Sequence, residues 1–184
     1  MWRSSARRGI GLATIVAALV VGAAGPAAAA TSEVSPSGFV VTLRQEVKAS
    51  PHRVYEALGE VDRWWSAEHT WSGSAANLSL ATQASACFCE RWEGNSVEHG
   101  RVIYAARDSV LRLQGALGPL QALAVNAVLT FAVAEKDGRT VLQLTYRVSG
   151  NDAAGLQELA GPVDGVLAEQ LRRLVAYAEG GKTP

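Results

Sequence analysis

Ala49–Gly73 reads A-S-P-H-R-V-Y-E-A-L-G-E-V-D-R-W-W-S-A-E-H-T-W-S-G. Ser50 is a helix N-cap, and Pro51 suits the first helical position, which needs no backbone N–H. Val54, Tyr55, Leu58 and Val61 then recur at helical spacing, and Gly59 divides the segment into two short helices. Trp64, Trp65 and Trp71 follow within eight residues. This order predicts a sheet whose concave face is closed by helices, with an aromatic cluster near the opening.

Upstream, Phe39, Val41, Leu43, Gln45 and Val47 alternate with Val40, Thr42, Arg44, Glu46 and Lys48. A period of two predicts a half-buried strand with the odd positions inward. Downstream, Asn77–Trp92 reads as one or two strands, Val97–Ala106 as another and Val110–Gln114 as a further one. Gly115–Pro119 is a loop. Val125, Ala127, Leu129, Phe131 and Val133 share one face of the next strand. Lys136-Asp137-Gly138-Arg139 is a hairpin turn signal leading to Leu142, Leu144, Tyr146 and Val148. Short runs joined by turns predict an antiparallel sheet. The tail changes period: Leu156, Leu159, Val163, Val166, Leu167, Gln170, Leu171 and Leu174 follow an amphipathic helix. Gly161-Pro162 is expected to kink or restart that helix, and Gly180-Gly181 to stop it.

The N-terminus carries a different signal. Arg3, Arg7 and Arg8 precede an apolar run from Ile10 to Ala24, and Ala28-Ala29-Ala30 offers small residues for cleavage. The apolar run is short for a membrane span of about 20 residues, so residues 1–30 are expected to be a signal peptide cut after Ala30. Thr31–Gly38 reads as a flexible leader, residues 39–179 as one domain and residues 180–184 as a tail. Removing the signal takes three of the 17 basic residues and none of the 17 acidic ones. The resulting mild negative charge gives no reason to expect nucleic acid. No later run suits stable membrane insertion. The expected location is periplasmic or extracellular.

The residue order is that of the helix-grip fold, and Val47–Trp65 resembles the first helix region of the SRPBCC superfamily. That superfamily includes START-like lipid carriers, polyketide cyclases and chaperone-ATPase activators. A narrower set of motifs resembles an exported bacterial subgroup of the same superfamily: H-T-W-S-G (His69–Gly73), C-F-C-E (Cys87–Glu90), V-E-H (Val97–His99), G-A-L-G-P-L-Q (Gly115–Gln121) and V-D-G-V-L-A-E-Q-L (Val163–Leu171). The resemblance implies an α+β, START-like fold: a curved antiparallel sheet wrapped around a long C-terminal helix, with two short helices after the first strand. It also implies an internal cavity. No P-loop, G-x-S-x-G or H-E-x-x-H occurs, so no cofactor is expected and an ATPase activity is not carried over.

Several residues are candidates for a site. Each tryptophan covers about 150–250 Å², worth several kcal/mol when buried at about 25 cal/mol per Å². Trp64, Trp65, Trp71 and Trp92 therefore either fill the core or line a ligand cavity. Cys87 and Cys89 share one strand face. Regular strand geometry puts their Cα atoms near the upper limit for bridging, yet in an oxidising compartment two cysteines usually pair. Buried thiols, a thiolate metal or redox site, and a strained or intermolecular disulfide all remain open. A metal set would draw on Cys87, Cys89, His69 and His99. His69, His99 and Glu90 are the acid–base candidates. In a regular strand Arg101 would share the face of His99, which argues against His99 pointing inward. Asp164 borders the apolar stripe of the last helix.

Three functions follow. The first is an exported protein that binds a hydrophobic small molecule or lipid, with Trp64, Trp65, Trp71, Cys87, Cys89, Trp92 and His99 as contacts. The second is a cyclase- or dehydratase-like enzyme using His69, His99 and Glu90. The third is a thiolate metal or redox site at Cys87 and Cys89.

Overall fold

The computed structural model of the protein describes residues 30–181; the expected signal peptide and its cleavage site lie outside them, apart from Ala30. Eight strands form one antiparallel sheet in the order β1-β2-β8-β7-β6-β5-β4-β3. The strands are β1 (Ala30–Ser35), β2 (Gly38–Val47), β3 (Leu78–Leu80), β4 (Cys87–Trp92), β5 (Asn95–Ala106), β6 (Val110–Gln114), β7 (Asn126–Lys136) and β8 (Arg139–Ser149). The helices are α1 (Pro51–Gly59), α2 (Val61–Trp64) and α3 (Leu156–Ala178), with short 3₁₀ turns in the connections. No helix among the described residues is long and apolar enough to cross a membrane.

The local signals act as physical chemistry requires. Ser50 accepts a hydrogen bond from the Arg53 amide at 3.2 Å, and Pro51 opens α1. Phe39, Val41, Leu43 and Val47 are buried on one face of β2. Lys136 pairs with Arg139 across a two-residue turn in which Asp137 and Gly138 have φ of 53° and 73°. Positive φ at both positions matches the strand twist, and it is why an Asp-Gly pair serves there. On α3, Leu156, Ala160, Leu167, Leu171, Leu174 and Ala178 are buried in the same core as Val54 and Leu58 of α1. Burying each such leucine contributes about 1.5–3 kcal/mol. The helix lies across the sheet and is fixed by this stripe.

Two expectations are corrected. Thr31–Gly38 is not a separate leader: Thr31 and Ser32 pair with Val41 and Val40, making β1 the sheet's edge strand. Backbone pairing needs no apolar side chain, so the polar composition of the segment concealed it. Of the two outcomes expected at Gly161-Pro162, the restart does not occur, since the helix runs unbroken from Leu156 to Ala178. Pro162 removes only the bond to the Glu158 carbonyl, close to the helix start, and the turns beyond hold.

The sheet also departs from regularity where it matters most. Between β4 and β5, Phe88 pairs with Gly100 and Cys89 with Glu98, so His99 is an extra residue on β5. Such a bulge breaks the in–out alternation and increases local twist.

Candidate functional site

The bulge turns His99 inward. Its side chain is buried, while Glu98 and Arg101 are exposed and pair with each other on the outer face. In a regular strand residues 99 and 101 would share a face. One additional residue separates them. The bulge is packed from below by the loop after β6: a Cβ on Gly115 would overlap the His99 carbonyl oxygen and the Gly100 Cα. Tyr146 holds that loop, its hydroxyl accepting from the Leu117 amide at 2.9 Å and lying 3.2 Å from the Gly115 carbonyl it donates to. Burial pushes the Tyr146 phenol well above its usual range, so it remains a neutral donor.

Behind His99 stands Glu90, with no exposed surface. Its carboxylate accepts from the Trp71 amide at 3.0 Å and the Ser72 amide at 2.5 Å, and contacts His99 Nε2 at 3.0 Å. Burial raises the Glu90 pKa, but hydrogen bonds from Ser72, the Trp71 amide and His99 outweigh it and hold the group below the usual carboxylate range. At His99, by contrast, burial dominates and lowers the pKa, against the opposing pull of Glu90. At neutral pH the pair is therefore a carboxylate and a neutral imidazole. Nε2 carries the proton and donates it to Glu90, which leaves Nδ1 as the ring's acceptor.

His99 forms part of the wall of a pocket of about 410 Å³. Trp65, Trp71, Leu117, Leu120, Leu159, Val163, Val166 and Leu167 supply most of the remaining wall, with Pro119 and Pro162. Glu68, His69, Thr70 and Gly118 complete it. The volume lies within the range of small-molecule sites. The apolar stripe of α3 thus has two parts. Its buried leucines hold the helix, and Leu159, Val163 and Val166 face the pocket.

Three α3 side chains grip the segment that carries the other pocket residues. Arg173 donates to the Trp64 carbonyl at 2.7 Å, Gln170 accepts from the Ser66 amide at 2.8 Å, and Glu169 meets His69 at 3.2 Å. Gln170 read as part of the apolar stripe in the sequence; its side-chain oxygen is paired with a backbone amide over a hundred residues away, which spacing alone cannot signal.

The sequence candidates separate clearly. His69, His99, Trp65 and Trp71 meet at the pocket, and Glu90 touches it through His99. Trp64 is core, its indole donating to the Ala57 carbonyl at 2.7 Å. It heads an aromatic series running through Trp65 and Phe88 to His99, with ring centroids 5.5, 5.4 and 4.8 Å apart. Trp92 is half-buried at the end of β4, outside the pocket wall. Asp164 is half-buried on α3, also outside the wall.

Cys87 and Cys89 are bonded to each other, with Cα atoms 5.3 Å apart. That separation falls within bridging range. They alternate with Phe88 and Glu90, so they lie on the outer face, with Glu98 beside them. The expectations of free thiols and of pocket contacts at these positions are corrected accordingly. A shared metal set of Cys87, Cys89, His69 and His99 does not form, since the sulfurs and the imidazoles occupy opposite sides of the sheet.

The architecture is a helix-grip fold, an α+β arrangement in which an antiparallel sheet wraps a long C-terminal helix. No protein-family model matches the chain, and no curated protein matches it in sequence. Solved structures do match. The Aha1 dimer of Colwellia psychrerythraea aligns over 78% of this chain and 98% of its own, with TM-score 0.59 and 18% identity. CalU16 of Micromonospora echinospora aligns over 87% and 88%, with TM-score 0.57 and 15% identity. The di-domain aromatase/cyclase StfQ of the steffimycin biosynthetic pathway aligns over 79% of this chain and 52% of its own, with TM-score 0.53 and 12% identity. At these identities the likeness concerns the fold.

Proposed function

We propose that the protein is an exported binder of a hydrophobic small molecule, held between α3 and the β4–β5 end of the sheet. The observation that carries this reading is the apolar pocket of about 410 Å³ with two histidines in its wall. A disulfide between Cys87 and Cys89 fits an oxidising compartment and so supports export. The motifs resembling an exported bacterial subgroup of the superfamily point the same way. Titration with the neutral fluorophore N-phenyl-1-naphthylamine tests the pocket. Saturable enhancement that is lost in Val163→Arg, with folding retained, is expected. No enhancement in the wild-type protein overturns the reading.

A second reading rests on the Glu90–His99 pair. A neutral imidazole oriented by a buried carboxylate is a general base, and a bound molecule could lose a proton to Nδ1. The His69–Glu169 pair, at the same pocket, is the second acid–base group that could return a proton. This is the arrangement needed for cyclisation with loss of water, as the cyclase-like alternative requires. Incubating the protein with a culture extract and following masses tests it. Dehydrated products that form with the wild type and not with His99→Phe support catalysis; unchanged masses leave the binder.

A further inference from the structure

Charge is distributed unevenly around the pocket. Among the described residues no lysine or arginine forms part of its wall, whereas Glu68 does. Two further carboxylates stand directly behind the wall's histidines, Glu90 on His99 and Glu169 on His69. His99 itself is buried and neutral, so it offers a lone pair and no positive charge. An anion placed here would lose its water, meet no lysine or arginine and face three acids, a combination that strongly disfavours burial of the ionised form. An uncharged molecule pays none of these costs, and one that carries a hydroxyl or N–H can donate to His99.

Resting on the binding reading above, we infer that the pocket selects uncharged apolar molecules bearing a hydrogen-bond donor, recognised by His99, and rejects carboxylates of the same size such as fatty acids. The acceptor is fixed from behind. Glu90 holds Nε2–H, and the Trp71 and Ser72 amides hold Glu90, so the ring cannot readily turn to present its N–H to a ligand. A carboxylate would need that N–H. The device therefore discriminates by hydrogen-bond direction as well as by charge.

Displacement of N-phenyl-1-naphthylamine at pH 8 by three competitors built on the same ten-carbon chain tests the inference: decan-1-ol, methyl decanoate and decanoate. Decan-1-ol is expected to displace the probe at roughly tenfold lower concentration than decanoate, because the latter carries an unpaired charge into the site. Methyl decanoate, which accepts but cannot donate, is expected between them. Glu68→Lys places a cation at an exposed position of the wall and should narrow the gap between alcohol and carboxylate. His99→Phe should erase the gap between alcohol and ester. If the probe binds and decanoate competes as well as decan-1-ol, the selectivity is overturned while the binding reading stands. A gap between alcohol and ester that persists in His99→Phe overturns the role of His99. If the probe does not bind at all, the binding reading itself falls, and the selectivity with it.

Discussion

The two faces of the β4–β5 hairpin carry the same kinds of residues and use them in opposite ways. On the inner face, Glu90 meets His99 in a buried pair that also anchors two backbone amides. On the outer face, Glu98 meets Arg101 in solvent, beside the Cys87–Cys89 bridge. One extra residue in β5 separates the two sets. The contrast teaches that location decides the worth of a polar pair. The inner pair fixes a loop, a tautomer and a pocket wall, and the outer pair decorates a surface.

The sharpest way to break this contrast is Glu90→Ala. It leaves the Trp71 and Ser72 amides and His99 without their common acceptor, and the loss expected is about 3–5 kcal/mol in urea unfolding. Loss below 1 kcal/mol would place the two faces on an equal footing. The same pair shapes the acid limb of stability. Both folded-state pKa values are depressed. Between folded and unfolded pKa the unfolded chain holds more protons, so stability falls as pH falls. The His99 contribution is complete above its unfolded pKa of about 6.5 and is lost below it; that of Glu90 is lost below about 4.3. His99→Phe should remove the upper step from the pH–stability profile and leave the lower.

Gly115→Ala probes the packing that holds the bulge from below. Its Cβ has no room against the His99 carbonyl and Gly100, and overpacking of this kind costs about 1–3 kcal/mol. A calorimetric scan showing an unchanged midpoint would mean that the loop can move away freely. Cys87→Ser with Cys89→Ser removes the outer bridge. The loop it closes contains only three residues, so the chain-entropy expectation is about 1–2 kcal/mol, less than for bridges that close long loops. Probe binding should survive, because the bridge faces away from the pocket. Smallest of all is Glu98→Ala, expected to cost below about 1 kcal/mol and to vanish in high salt, as exposed pairs do. A larger effect would show that the outer pair helps to set the bulge.

Much of this was legible in the residues. Ser50-Pro51, the odd-position stripe of β2, the Asp137-Gly138 turn and the tail helix are local signals, because capping, alternation and turn chemistry each act within a few residues. The candidate site was legible in its membership: His69, His99, Glu90, Trp65 and Trp71 could be named from chemistry and spacing. Its geometry was not. Strict alternation put Arg101 on the face of His99, and only the cross-strand register between Phe88 and Gly100 corrects this. The same alternation placed Cys87 and Cys89 near the limit of bridging and gave no means of deciding which face they would occupy. Trp64 and Trp65 are adjacent and chemically alike, yet one is core and the other is pocket wall.

The sequence by itself determined the order of elements, the antiparallel sheet, the long closing helix and the short set of side chains able to do chemistry. Those follow from interactions whose partners lie a few residues apart. Tertiary structure decided which way His99 faces, that Cys87 and Cys89 bond to each other on the outside, that β1 joins the sheet, and that the α3 side chains of Glu169, Gln170 and Arg173 grip residues 64–69. Each of these depends on a partner far away in the chain, and a single extra residue in β5 was enough to invert what the local pattern implied.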